Sequence, residues 1–363
     1  MPVDIKPLTA LRFLAAMWVV AFHYWPHLAG FGVPTFVSKG YLGVECFFVL
    51  SGFILSHVYL DGLGQGRFHY GKFLWARLAR VYPLHLATLI GVGVLAFVAG
   101  AAGIVMDHEI APLKLLPANL ALIHAWGVTD STGWNHPSWS ISAEWFAYLT
   151  FPLFGWVAWR LRERPGVAVA AAVALLLTLY IGFQRATDFP LTLATYAWGA
   201  LRIVPCFAYG VALNLLWRKN RIDSAGMAKL GVAAFALLIL GFAATGGPDA
   251  ALTVSFGGLI LCLASLTSNG SKLFSGKLGV DLGEVSYAVY IVCFPWELVA
   301  MNAARKVLGV EDALPLPVWL AVVAGVIPVA MLAHHLVERP ARNAMRRWAE
   351  MGWRRQTPQA EAI

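Results

Sequence analysis

An arginine and a histidine lie eleven residues apart in the first apolar segment, LTALRFLAAMWVVAFHYW. In an α-helix this spacing brings Arg12 and His23 to within about 20° of one face, about 16 Å apart along the axis. Ionisable groups inside a spanning helix are costly, and they usually face the bundle interior and mark a pathway or a reaction site. The alternative is that Arg12 reaches one membrane interface and His23 lies at the other. The shared face favours a functional role for the pair.

Two glutamates near the ends of apolar segments are candidates to accompany the histidine. Glu45 opens the second segment at about the membrane depth of His23, and Glu144 lies about two turns inside the fourth. A carboxylate beside an imidazole fixes its tautomer and raises its basicity. Interfacial solvation is the alternative for Glu144. Ser51 and Gly52 interrupt an aromatic run, and such small residues indicate close packing of another helix.

Two arginines, Arg77 and Arg80, are spaced to share one helical face in KFLWARLARVYPLHLATL. Guanidinium groups bind phosphate through paired hydrogen bonds, so two on one face could hold a polyphosphate ligand. Arginines that flank a spanning helix are also the ordinary signal of membrane topology. Both interpretations stay open from the spacing alone.

The composition predicts what kind of structure must position these residues. Hydrophobic residues make up 59% of the 363 positions and charged residues only 13%, against about 25% charged in soluble domains. The sequence is therefore expected to be a polytopic protein of the lipid bilayer. No basic patch interleaved with aromatics accompanies the net charge of +8, so a nucleic-acid partner is not expected. The four cysteines lack metal-ligand spacing, so no metal site or disulfide framework is expected.

Apolar runs of spanning length predict an all-α bundle of about ten transmembrane helices. The predicted spans are residues 8–26, 41–60, 83–104, 138–159, 166–183, 197–216, 227–244, 250–267, 282–302 and 317–337. Most of the 27 lysines and arginines, including Arg221 and Lys272, then fall in alternate connections. By the positive-inside rule, this distribution places both termini in the cytoplasm.

The segment Pro112–Trp126 is apolar but short, and Pro117 interrupts it. It is predicted to be an interfacial or re-entrant helix, because a further span would invert every later connection. It lies in the outer connection 105–137, a candidate cover for an acceptor site. We divide the chain into a transmembrane domain, 1–341, and a short basic cytoplasmic tail, 342–363.

Several motifs together resemble acyltransferase family 3, bacterial membrane enzymes that O-acylate polysaccharides and related acceptors. They are LRFLAA and FHY at 11–24, GVECFFVLSGF at 43–53, RLARVYPL at 77–84, WSISAEWFAYLTFPL at 139–153, LGEVSYAVYIVCFP at 282–295 and HHLVERPARN at 334–343. The resemblance covers nearly the whole chain in order. One departure is Cys293, where many members carry a histidine; we expect it to pack as a small apolar residue.

The resemblance implies roles for the candidate residues. It assigns His23 as the essential histidine and Glu144 as the glutamate of the Trp-Ser-x-Ser-x-Glu signature. Membrane depth adds Glu45, so either Glu45 or Glu144 is expected to be the carboxylate partner of His23. The resemblance places Arg12, Arg77 and Arg80 at the phosphates of an acyl-CoA donor, acetyl-CoA above all, which is a substrate and not a bound cofactor.

The expected reaction is transfer of the acyl group to a hydroxyl of an exopolysaccharide or lipopolysaccharide sugar, by direct attack or through an acyl-histidine. The expected location is the bacterial inner membrane. A transporter or flippase for a lipid-linked or anionic solute is the alternative, although no pair of related halves with interrupted helices is visible in the sequence.

Overall fold

The computed structural model describes residues 5–103, 110–131, 133–219, 222–271 and 273–355. Arg221, Lys272 and the last eight residues of the predicted tail, 356–363, lie outside the described residues, as do 105–109 and 132 of the outer connection. The described part contains helices and connections without a strand. The predicted all-α class is confirmed.

Twelve helices carry the fold of these described residues. They are α1 Lys6–Tyr24, α2 Gly43–Gly64, α3 Tyr70–Ala101, α4 Trp139–Leu149, α5 Phe151–Leu161, α6 Pro165–Thr187, α7 Gly199–Arg218, α8 Ala225–Thr245, α9 Asp249–Ser268, α10 Lys277–Leu308, α11 Leu316–Ala333 and α12 Arg339–Arg355. Shorter helical turns are Trp25–His27, Thr35–Ser38, Gly40–Leu42, Leu113–Leu115, Leu116–Leu120, His136–Ser138, Leu191–Leu193 and the π-helical turn His334–Glu338.

Nine helical segments among the described residues are long and apolar enough to cross a membrane. They correspond to nine of the ten predicted spans. The remaining predicted span, 138–159, is divided into α4 and α5, each of 11 residues. Pro152 accounts for the division, since it lacks an N–H group and its ring crowds the carbonyl one turn earlier. The hydroxyl of Thr150 donates to the carbonyl of Phe146 at 2.8 Å and caps the break.

Close helix contacts at glycines bring α2 against α7 in the centre of the bundle. A Cβ atom at Gly52 would overlap the backbone carbonyl of Phe207, and one at Gly210 would overlap that of Val49. The predicted packing role of Gly52 is confirmed. Helix α1 packs in the same way on α10, where a Cβ at Gly283 would overlap the carbonyl of Thr9. These contacts fix α1, which carries Arg12 and His23, within the bundle.

The segment predicted as an interfacial or re-entrant helix forms two short helical turns and a loop. Ser142 of α4 fastens the loop, because its hydroxyl donates to the carbonyl of Leu122 at 2.8 Å and accepts from the amide of Ala125 at 3.0 Å. The indole N–H of Trp126 donates to the carbonyl of Ser142 at 2.9 Å. Ser142 of the WSISAEW motif therefore holds the outer loop onto the bundle.

The C-terminal helices run through the predicted domain boundary at 341/342 without a break. The π-helical turn joins α11 to α12, which extends to Arg355. Helix α12 lies against α3, where the indole of Trp75 donates to the carbonyl of Met345 at 2.9 Å and stacks near Trp348 with ring centroids 5.2 Å apart. The separate basic tail stays a prediction.

Candidate active site

A cavity of about 120 Å³ lies between α1, α2, α3, α4 and α10. Arg12, Arg77, Arg80 and Glu144 all line it, although they come from three different helices. The remaining lining residues are mostly apolar, with polar groups from Ser51, Ser140, Tyr148, Tyr287 and Tyr290. Three arginines and one glutamate give the lining a formal excess of two positive charges, which suits an anionic ligand.

Arg12 and Arg77 carry positive charges that ion pairs among the described residues do not neutralise. Within the described residues, neither guanidinium forms a salt bridge with a carboxylate. Arg77 approaches the hydroxyl of Tyr59 at 3.4 Å, and its buried Nε has no hydrogen-bond partner. A buried donor without a partner is costly, so these groups are available to oxygen atoms of a ligand.

Arg80 is held in position by a buried carboxylate that the sequence reasoning did not identify as important to the site. Its Nη1 lies 2.9 Å from the Oε1 of Glu338. Glu338 is fully buried and also contacts the Nδ1 of His334 at 2.8 Å and the guanidinium of Arg342 at 3.5 Å. The guanidinium carbon of Arg80 lies 5.8 Å from the ring centroid of Tyr287. The HHLVERPAR motif therefore orients one of the cavity arginines.

Glu144 faces the arginines of the cavity and not His23. Its Oε1 accepts a hydrogen bond of 2.7 Å from the hydroxyl of Ser51. Ser51 was predicted to serve close helix packing; its hydroxyl also bonds this carboxylate, a role that the sequence did not indicate. Within the described residues, no hydrogen bond joins Glu144 to His23.

Glu45 was predicted to lie beside His23, and the structure corrects this expectation. Both carboxylate oxygens bind Arg202 of α7, at 2.6 and 2.9 Å. Arg202 also donates to the carbonyl of Ala194 at 2.9 Å and lies 4.6 Å from the ring centroid of Trp139. Glu45 is fully buried, and a buried carboxylate needs an opposite charge close by, so Arg202 takes it. Its carboxylate is not free to orient an imidazole.

His23 lies outside the cavity lining, and the ionisable groups nearest to it are two histidines, His136 and His27. The ring of His136 stands at 73° to that of His23, with centroids 5.7 Å apart. Phe22 is also in edge contact, at 5.2 Å. The sequence analysis did not select His136. It lies just before the predicted span 138–159 and its WSISAEW motif, whereas His23 lies near the end of the predicted span 8–26.

The turn that carries His136 is joined to the cavity lining. The hydroxyl of Tyr290 donates to the carbonyl of Pro137 at 3.0 Å, and that of Ser140 donates to the same oxygen at 3.1 Å. The predicted packing of Cys293 agrees with its burial, and its thiol donates to the carbonyl of Tyr290 at 3.1 Å. The cavity and the two histidines therefore form neighbouring parts of one region.

A cationic, largely apolar cavity next to a pair of imidazoles can bind an anion at one end and exchange protons at the other. Comparison with protein families identifies the class of enzyme. A family model described as an acyltransferase domain matches residues 5–335. The chain belongs to the acyltransferase 3 family. As a member of that family it is an acyltransferase and a multi-pass membrane protein.

Relatives of this acyltransferase 3 chain cover much of its length. It is 29% identical to the acyltransferase MdmB of Streptomyces mycarofaciens, over 95% of this chain and 93% of the relative. It is 27% identical to the exopolysaccharide production protein ExoZ of Rhizobium meliloti, over 83% and 89% of the two chains. A putative peptidoglycan O-acetyltransferase of Bacillus subtilis, YrhL, is 24% identical over 93% of this chain and 55% of the relative. No solved structure matches the chain.

Proposed function

We propose that this acyltransferase moves an acyl group, acetyl above all, from acyl-CoA to a hydroxyl of an exopolysaccharide or lipopolysaccharide sugar in the bacterial inner membrane. The observation that carries the proposal is the convergence of Arg12, Arg77 and Arg80 on one cavity beside His23 and its neighbouring turn. The names of the relatives, an exopolysaccharide production protein and a putative O-acetyltransferase, agree with a sugar hydroxyl as acceptor.

The donor binds with its phosphates at the three arginines. Charged guanidinium groups hold phosphate oxygens by charge-assisted hydrogen bonds, and Arg12 and Arg77 have no competing salt bridge among the described residues. In this proposal, which the distribution of lysine and arginine supports, this end of the bundle faces the cytoplasm, where acyl-CoA is made. The apolar lining between Phe47, Ile54 and Tyr290 then accommodates the pantetheine arm and leads it towards the Pro137 turn.

His23 acts as the general base. Its neutral imidazole takes the proton from the acceptor hydroxyl while that oxygen attacks the thioester carbonyl carbon. The C–O bond forms, the C–S bond breaks with its electron pair on sulfur, and one proton finally reaches the sulfur to give free coenzyme A. Glu45 and Glu144 are bound elsewhere, so neither carboxylate orients the imidazole in this mechanism.

A transfer assay with the purified protein in lipid nanodiscs tests the donor site. The probes are radiolabelled acetyl-CoA and unacylated surface polysaccharide from cells that lack the protein. Arg77→Gln is expected to raise the KM for acetyl-CoA about tenfold or more, since hydrogen bonds between charged groups contribute about 1.5–3 kcal/mol.

Arg160→Gln is the matched control, because Arg160 is exposed and lies over Trp156, away from the cavity. Its KM is expected to match the wild type. An unchanged KM in Arg77→Gln would remove the phosphate-binding role, and a wild-type protein that transfers no label would refute the proposed reaction with this donor and acceptor.

A further inference from the structure

The two histidines beside the cavity differ from the buried His85 and His124, each of which has one ring nitrogen in a hydrogen bond. His85 bonds the carbonyl of Asn119 at 2.9 Å, and His124 lies 3.1 Å from the hydroxyl of Ser138. In the described part of the chain, neither His23 nor His136 has a hydrogen-bond partner. Both are only partly buried. Their ring nitrogens are therefore open to substrates and to each other.

Hydrogen bonds to neighbouring helices hold the residues on either side of His136. The side-chain amide of Asn135 donates to the carbonyl of Ile291 at 3.0 Å and to the hydroxyl of Thr88 at 3.1 Å. The carbonyl of Pro137, the residue after His136, accepts hydrogen bonds from the hydroxyls of Tyr290 and Ser140. Three helices thus converge to fix one histidine, and such support is typical of a preorganised catalytic group.

The separation of the rings suits proton exchange between them. Two imidazoles joined by a linear N–H···N bond of about 3 Å have ring centroids about 5.3 Å apart. The observed 5.7 Å is a few tenths of an ångström longer, and catalytic hydrogen bonds often shorten when substrate binds. A rotation of either ring about its Cα–Cβ bond, or one intervening water, completes the contact.

We propose that His136 is a second catalytic residue, which passes the proton taken up by His23 to the coenzyme A sulfur. The inference rests on the proposed function. The hydroxyl proton goes to one nitrogen of His23, and the proton on the other nitrogen of His23 goes to His136. The proton on the far nitrogen of His136 goes to the thiolate as the C–S bond breaks. Each imidazole gains one proton on one nitrogen and loses one from the other, so the charges balance, and proton exchange with water restores the starting tautomers before the next turnover.

His136 occupies the donor side of this relay. Its turn is bonded to Tyr290 and Ser140, which line the cavity assigned to the donor, whereas His23 lies beyond the lining. The arrangement lets the hydroxyl and the thioester approach from opposite sides of the histidine pair. It also replaces the carboxylate that the sequence suggested as the partner of His23.

Substitution of His136 separates the chemical role from a packing role. His136→Phe keeps an aromatic ring against His23 and Phe294 but removes both nitrogens. His136→Gln keeps hydrogen-bonding groups but cannot relay a proton. Both variants are expected to lower kcat about 100-fold or more, the usual contribution of general acid–base catalysis, while the KM for acetyl-CoA changes less than about threefold.

Chemical rescue supplies the decisive control. In His136→Ala, added imidazole is expected to restore part of the lost kcat, because a free imidazole can enter the space and carry the proton. His69→Gln, at an exposed histidine before α3, is the control for substitution in general and is expected to behave as the wild type. All rates are compared per folded molecule, from the monodisperse peak in size-exclusion chromatography.

The outcomes distinguish this inference from the function on which it rests. If His23→Ala is inactive while His136→Phe and His136→Gln keep wild-type kcat, the relay is wrong and His23 acts alone. If imidazole restores nothing in His136→Ala although the protein is folded, the role of His136 is structural and the relay is likewise wrong. If the wild type transfers no acetyl group, the proposed function fails and the relay fails with it.

Discussion

The ionisable residues of this bundle divide into those that a partner satisfies and those left open to a ligand. Glu45 with Arg202 and Glu338 with Arg80 belong to the first group. Arg12, Arg77 and the histidine pair belong to the second among the described residues. Buried charges cost several kcal/mol each unless they are paired, so the unpaired ones mark where substrate charge is expected.

The buried Glu45–Arg202 ion pair is expected to stabilise the folded protein. Glu45→Gln leaves the Arg202 guanidinium buried without an opposite charge and is expected to destabilise the folded protein by about 3–5 kcal/mol. Thermal unfolding in detergent, followed by size-exclusion chromatography, measures the loss. The remaining folded fraction is expected to keep its kcat, because Glu45 takes no part in the reaction.

Asp130→Asn is the matched control for this prediction. Asp130 pairs with Lys114 at 2.6 Å, but both side chains are about two-thirds exposed, and such surface pairs contribute about 0–1 kcal/mol. Equal losses in Glu45→Gln and Asp130→Asn would contradict the structural role of the buried pair. If the Glu45→Gln protein were folded but inactive, Glu45 would have to be assigned a role in catalysis.

At the scale of the helices, glycine contacts hold the cavity walls together. Helix α2 carries Glu45 and Ser51, and α7 carries Arg202, so the α2–α7 crossing at Gly52 and Gly210 determines both the ion pair and one wall of the cavity. The division between α4 and α5 has a comparable effect, because it gives α4 its own direction and lets Glu144 face the arginines.

Gly52→Val tests the α2–α7 crossing. The added side chain meets the backbone of Phe207, which cannot move aside, so we expect little folded protein in the membrane. Gly62→Ala in the same helix is the control, since no atom lies within 4 Å of the added Cβ. Membrane abundance and detergent-solubilised monodispersity measure both. A Gly52→Val protein as abundant and monodisperse as the control would contradict the observed crossing.

The sequence predicted the helices well and the pairing of side chains poorly. Span positions follow from local hydrophobicity, and the arginines Arg12, Arg77 and Arg80 were recognised from their own helix faces. Arg202 and His136 could not be assigned as partners, because each meets its neighbour across more than 100 residues of sequence. The periodicity of the sequence predicts on which face of its own helix a residue lies. Which residues of other helices that face contacts depends on tertiary packing.

At the scale of the whole molecule, the number of crossings decides which side of the membrane each site faces. Among the described residues, nine long helical segments alone would give an odd number of crossings, and α4 and α5 together would give a tenth if they also cross. The positive-inside pattern favours the even number. With an even number, the proposed donor and acceptor would reach the histidines from opposite faces of the membrane.

Cysteine labelling tests that topology. Val128 and Arg164 are exposed and lie on either side of the α4–α5 pair. In spheroplasts, a membrane-impermeant maleimide is expected to label Val128→Cys directly and Arg164→Cys only after permeabilisation. The four native cysteines are buried, and the unsubstituted protein measures their background. Equal labelling of both positions before permeabilisation would show that α4 and α5 together do not cross.

The most direct test of the account compares surface polysaccharide from cells that make the wild-type protein with that from cells that make His23→Ala at equal membrane abundance. Proton NMR detects O-acyl groups and the sugar protons that they shift. We expect the O-acyl signals in the wild type to disappear in His23→Ala, and the shifted protons to identify the acceptor hydroxyl. Equal acylation in both samples would contradict the assignment of His23 as the base and, with it, the mechanism proposed for this acyltransferase.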